Sequence, residues 1–168
     1  MGFSNAEINR YIRHFAVDRI GLSGQAVLKK SSVICVGAGG LGCGALPYLV
    51  SCGVGAVGLI DHDVVELSNL QRQVLYTEKD IGRSKAVAAK NRLISLNDCV
   101  SVQAINQKLT QENATDLLKN YDLVIDGSDN FSTRYLVNDV CHQLKKPLYI
   151  LFLFLIFLLF LHILFFEL

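Results

Sequence analysis

A chain of 168 residues has the length of one domain, and 16 basic against 15 acidic residues leave a net charge of +1. That balance excludes a polybasic field for nucleic acid and an acidic disordered tail. The apolar share of 51% is unevenly spread, because Leu148 to Leu168 holds 19 apolar residues in 21 and six of the nine Phe. What precedes that stretch has the composition of an ordinary soluble domain. In chain order, residues 1–30 mix charged and apolar types and show no leader pattern, with a helical segment expected at Glu7 to Phe15. Ser32 to Val36 is β-branched and ends in glycine, as a buried strand does. Leu41 to Ser51 has a helical pattern that Pro47 is expected to bend. Ala56 to Ile60 is a second strand, Ser84 to Leu96 a helix, and Val100 to Ile105 a third strand. Thr110 is placed to cap a helix over Gln111 to Asn120. Leu123 to Ile125 makes a fourth strand, Thr133 to Leu144 a last helix, and Tyr149-Ile150 can add a fifth strand. Strands alternating with helices of this length predict an α/β, Rossmann-like, mostly parallel sheet with helices on both faces.

The five cysteines (Cys35, Cys43, Cys52, Cys99, Cys141) form no C-x-x-C pair, and the four histidines do not cluster. Reduced thiols packed as small hydrophobes are expected in a cytoplasmic protein, and zinc is not.

Gly37-Ala38-Gly39-Gly40-Leu41-Gly42 joins the first strand to the first long helix. Glycines at Gly37, Gly39, Gly40 and Gly42 permit a tight turn and a close backbone approach, and the helix N-terminus supplies N–H groups for a phosphate. Asp61 ends the second strand 24 residues after Gly37, where an acid commonly meets a ribose hydroxyl. These features alone say nucleotide, with NAD as the usual default. The following stretch, Asp61-His62-Asp63 and Ser68-Asn69-Leu70-Gln71-Arg72-Gln73, then Gly82-Arg83-Ser84-Lys85, argues otherwise. If that loop folds back, Arg72 and Lys85 bring more positive charge than a hydride-transfer enzyme needs, and a triphosphate attacked at its α-phosphorus needs such charge. Asp126 to Asn130 places carboxylates at the C-terminal end of the fourth strand, where ligands bind and where Mg²⁺ would find oxygen.

These stretches, together with Arg10 to His14 and Arg134 to Asn138, resemble the ThiF/MoeB/ubiquitin-activating superfamily of adenylating enzymes, colinearly from about residue 8 to 148. The resemblance implies that ATP and Mg²⁺ activate the C-terminal carboxylate of a small β-grasp sulfur-carrier or ubiquitin-like protein. It implies Gly40 on the phosphates and Asp61 on the ribose. Asn69, Arg72 and Lys85 would hold the triphosphate, with Asp63, Ser68, Gln71 and Asn130 beside them, and Asp129 the Mg²⁺. Arg13 would reach across a homodimer interface into the partner's site. Two other readings share the glycine loop: an NAD(P)-dependent oxidoreductase, and a nucleotide-binding fragment without turnover.

The nucleotide-binding part is expected to span 1–147 and an apolar tail 148–168. Relatives of this kind are expected to continue for roughly another hundred residues beyond Pro147. Leu148 to Phe166 runs 19 residues without a charge, long enough to cross about 30 Å of hydrocarbon as a helix. A frameshifted or truncated end is the favoured reading of that tail, and a membrane anchor the other.

Overall fold

The computed structural model describes residues 2–151. Five strands, β1 (Ser32–Val36), β2 (Ala56–Ile60), β3 (Ser101–Ile105), β4 (Leu123–Asp126) and β5 (Leu148–Ile150), form one sheet in the order β3-β2-β1-β4-β5. Every pairing is parallel, so each connection must cross over, and helices supply the crossovers. Helices α3 (Gly40–Ser51) and α4 (Lys85–Leu96) serve β1, β2 and β3. Helices α5 (Gln111–Leu118) and α6 (Phe131–Leu144) serve β4 and β5, and α1 (Asn5–Phe15) and α2 (Gly21–Lys30) precede the sheet.

Alternation along the strands decides which helix covers which face. Val33 and Cys35 of β1, with Val57 and Leu59 of β2, pack with Leu46 and Val50 of α3 and Ala86, Ala89 and Leu93 of α4. Their neighbours Ile34 and Val36, with Ile60 and Val124, pack with Leu118 of α5 and Val137 and Cys141 of α6. Both faces are covered, and the strands read as continuous apolar runs for that reason. The expected α/β architecture is the observed one.

Several boundaries moved. Helix α3 starts one residue early at Gly40 and runs through Pro47 to Ser51. Helix α6 starts at Phe131, because Asn130 Oδ1 accepts from Thr133 N at 2.9 Å and so caps it. Helix α5 stops at Leu118 rather than Asn120. Helix α2 went unread: two glycines lie within it and its N-cap, Ile20, offers no side-chain acceptor. Cys35, Cys43 and Cys141 are buried and Cys52 is half-buried as expected, whereas Cys99 is exposed. Among the described residues no helix is long and apolar enough to cross a membrane, and the apolar tail beyond Leu151 lies outside them.

The N-terminal helices dock on the C-terminal end of α3 through buried polar groups. Ser4 and Glu7 cap α1 reciprocally, and Lys29 pairs with Glu7 at 2.7 Å. The Lys29 partner holds the Glu7 carboxyl below the usual carboxylate range. The pairing therefore adds stability above that range and loses it as acid protonates Glu7. Asn97, 1% exposed, donates to Tyr11 Oη at 2.7 Å and to Val50 O at 2.8 Å. Gln25 bridges His14 Nδ1 and Cys52 O. Asn97→Ala takes the donor from the buried Tyr11 hydroxyl and one of the donors from Val50 O, which keeps Gly53 N at 3.1 Å. It is expected to lower stability by about 1–3 kcal/mol, seen as a lower urea midpoint at unchanged slope.

Candidate nucleotide site

The loops after β1 and β4 leave the sheet in opposite directions, because the chain turns to one face after β1 and to the other after β4. A cleft of about 980 Å³ opens at that point, where open parallel sheets bind ligands. Its floor is the glycine loop. Gly37 adopts φ +90° and donates from its N–H to Ile60 O at 2.8 Å. Helix α3 then passes so close that a Cβ on Gly42 would lie 2.1 Å from Gly37 O, which only glycine tolerates. Gly39 is the N-cap of α3 without a side-chain acceptor, so the first N–H groups of the helix have no partner within it and present a positive end to the cleft.

The second wall is the segment between β2 and α4. An isolated bridge between Val64 and Ser84 closes it, so the loop does fold back. Asp61 spends both oxygens on backbone: Oδ2 accepts from Ala38 N at 2.8 Å and Oδ1 from Asp63 N at 2.9 Å. Lys85, 6% exposed and first in α4, pairs with Asp63 Oδ2 at 3.0 Å. Asn69 is buried and accepts from Glu66 N at 3.2 Å. Arg72 is exposed, donates to Ser68 O and runs alongside Gly40, whose Cβ would stand 3.7 Å from Arg72 Cγ. The third wall follows β4. Asp126 Oδ1 accepts from Ser128 N at 2.9 Å, Asp129 is exposed on the cleft, and Arg134 donates Nη2 to Ser128 O at 3.0 Å.

The cleft thus gathers Gly37, Gly39, Gly40, Asp61 and Asp63 with Asn69, Arg72, Lys85, Asp129 and Asn130. Gly42 supports the floor from behind. Ser68 and Gln71 are exposed and stand outside the lining. Arg13 is exposed on α1, which packs where Val50 and Cys52 end α3, so the ~18 Å length of that 12-residue helix separates it from the glycine loop of its own chain. Gln73, Ser128 and Arg134 line the cleft as well, without a role assigned to them above. Gln73 and Arg134 stand within the motif stretches, but nothing in the spacing set them apart from their neighbours.

Three buried atoms have no hydrogen-bond partner among the described residues: Gln73 Oε1, Ser128 Oγ and Asp126 Oδ2. The first two belong to cleft-lining residues, so the cleft has polar capacity to spare for a ligand. Among the described residues one trio of metal-ligating side chains converges, Asp61, His62 and Asp63, within 4.8 Å. Backbone N–H groups and Lys85 already occupy its carboxylates. Asp129 has no hydrogen bond or ion pair among the described residues and is exposed on the cleft, so its carboxylate is open to a cation there.

Residues 11–150 match the ThiF family. The chain is 53% identical to the sulfur carrier protein adenylyltransferase of Thermus thermophilus over 148 residues, covering 88% of this chain and 55% of the relative. It is 47% identical to the probable molybdopterin-synthase adenylyltransferase of Porphyra purpurea over 144 residues, covering 86% and 38%. It therefore spans about half or less of the curated relatives it matches. Among solved structures, E. coli tRNA N6-threonylcarbamoyladenosine dehydratase, TcdA, in complex with ATP superposes with a TM-score of 0.84 at 26% identity, over 89% of this chain and 61% of that one. A parallel 3-2-1-4-5 sheet and a cleft floored by a glycine loop agree with these likenesses, and the chain belongs to the ThiF family.

Proposed function

We propose that this chain carries the nucleotide-binding part of an ATP-dependent adenylyltransferase. Its substrate is the C-terminal carboxylate of a sulfur-carrier or ubiquitin-like protein. The observation that carries the reading is the convergence of Lys85, Arg72 and the partnerless N–H groups of α3 on one cleft with Asp129 opposite. A dinucleotide undergoing hydride transfer has no use for that much charge beyond its pyrophosphate, whereas a triphosphate under attack does. Two relatives named adenylyltransferases and an ATP-bound structural neighbour support it.

In this mechanism the carboxylate oxygen attacks the α-phosphorus. A carboxyl-oxygen–phosphorus bond forms, the α–β phosphoanhydride breaks, and pyrophosphate leaves with the electron pair. The nucleophile is already ionised, so no protein base is needed and positioning with charge neutralisation carries the catalysis. The N–H groups of Gly39 and Gly40 hold phosphate oxygens, Asp61 takes the ribose, and Asn69, Arg72 and Lys85 draw the departing charge. Bound Mg²⁺ supplies further neutralisation, with Asp129 as its protein ligand. The reading places the protein in the cytoplasm as a homodimer, and membrane association would come only through 148–166.

Calorimetry on the chain tests the nucleotide. Mg-ATP is expected to bind at least about tenfold more tightly than NAD⁺, and Asp129→Ala to remove the advantage of Mg-ATP over metal-free ATP. Tighter binding of NAD⁺ would contradict the reading, and an undiminished Mg²⁺ effect would take the metal from Asp129.

The distance of Arg13 from its own cleft supports a role in the partner's site, where a guanidinium adds charge that the first subunit's residues do not reach. The test uses a protein extended beyond Pro147 with the corresponding half of the Thermus thermophilus relative. Arg13→Ala and Lys85→Ala should each abolish ATP–pyrophosphate exchange. Mixing them should restore about a quarter of wild-type exchange, since half of randomly formed dimers carry one intact site of two. Mixed dimers without recovery would remove Arg13 from the partner's site.

A further inference from the structure

The Ala38 peptide, in the middle of the glycine loop and fully buried, is held on both sides. Its N–H donates to Asp61 Oδ2 at 2.8 Å. Its carbonyl accepts from Tyr76 Oη at 2.7 Å and from Cys43 Sγ at 3.2 Å. Tyr76 is 5% exposed and lies 38 residues away in sequence, in the segment that also carries Asn69, Arg72 and Gln73. That segment is wound tightly: Arg72 N and Gln73 N donate to Asn69 O at 3.1 and 3.0 Å, and Tyr76 N donates to Gln73 O at 3.1 Å. The phenol is therefore a direct hydrogen-bonded link between the glycine loop at the cleft and the turn that carries Arg72.

We infer that Tyr76 is a positioning residue of the phosphate site, holding the Ala38 peptide so that the Gly39 and Gly40 N–H groups and Arg72 address the same phosphate oxygens. Rotation of the Ala38–Gly39 peptide would turn the Gly39 N–H away from the cleft. The Tyr76 hydrogen bond opposes that rotation from the carbonyl side, and Asp61 fixes the preceding N–H. Burial pushes the Tyr76 phenol above its usual range and the Cys43 thiol up to about 11, so both remain protonated donors at neutral pH. The role rests on the triphosphate reading, yet it is decided by binding alone.

The test compares Mg-ATP with adenosine on the full chain by calorimetry, wild type against Tyr76→Phe, which keeps the ring in the core and deletes only the hydroxyl. A carbonyl deprived of its main buried donor should weaken Mg-ATP about tenfold and leave adenosine within about twofold, because only the phosphates meet the loop. Equal losses for both ligands, or no loss for either, would reduce Tyr76 to a packing residue and overturn the inference. Cys43→Ala provides the second readout if the phenylalanine variant does not fold. It removes the weaker donor on the same carbonyl and should weaken Mg-ATP by roughly threefold, again without affecting adenosine. No selective loss there would overturn the inference too. A wild-type chain that takes up Mg-ATP while its extended form shows no pyrophosphate exchange would refute adenylation, and the ATP-to-adenosine comparison would still decide the role of Tyr76.

Discussion

Everything at the cleft depends on how β1 turns into α3. Between Val36 and Gly40 the chain must reverse sharply enough that Gly42 packs against the Gly37 carbonyl, at a separation no Cβ would survive. The positive φ at Gly37 makes the reversal, and the missing side chains at Gly39 and Gly40 leave backbone N–H groups open to a ligand. This turn also sits at the sheet's switch point, between β2 on one side and β4 on the other. The loops after β1, β2 and β4 therefore meet over one floor, and residues 90 positions apart in sequence become neighbours.

The electrostatics follow from that geometry. A chain at +1 overall keeps that balance in the cleft: Arg72, Lys85, Lys108 and Arg134 share its walls with Asp61, Asp63, Glu66 and Asp129, and the α3 terminus adds its partial positive charge at the glycine loop. Lys85 is almost fully buried, and its ammonium is tolerable there because Asp63 stands 3.0 Å away. Asp61 has a different task in the structure. With both oxygens committed to backbone N–H groups, it braces the floor, and its remaining lone pairs are what a ribose would meet.

The fold was legible wherever burial is two-sided. Short, mostly apolar runs such as Ser32–Val36 and Ala56–Ile60 read as buried strands once glycine-bearing turns bound them. Helix α2 was not legible, since its glycines and bare N-terminus carry no local helical signal and tertiary contacts, Gln25 with Cys52 O among them, determine it. At the site, the placement of Gly37, Gly39, Gly40, Asp61 and Lys85 on one cleft could be read, because a glycine-rich turn between strand and helix marks the ligand-facing edge of a parallel sheet. Tyr76 could not, because its partner is a backbone carbonyl 38 residues away and a buried aromatic in Leu-Tyr looks like core. Ser68 and Gln71 show the converse: they belong to the same stretch as Asn69 and Arg72, but the tight turn points them out of the cleft.

On the proposed function, the N–H groups at the start of α3 are a phosphate cradle held ready by the Ala38 peptide. Amide NMR of the chain titrated with Mg-ATP and, separately, with adenosine measures this directly. Large shifts of the Gly39, Gly40 and Leu41 amides are expected with Mg-ATP and small ones with adenosine, while Gly53 and Gly55 at the far end of the sheet stay still. Equal shifts from both ligands, or shifts that leave the glycine loop unmoved, would contradict it.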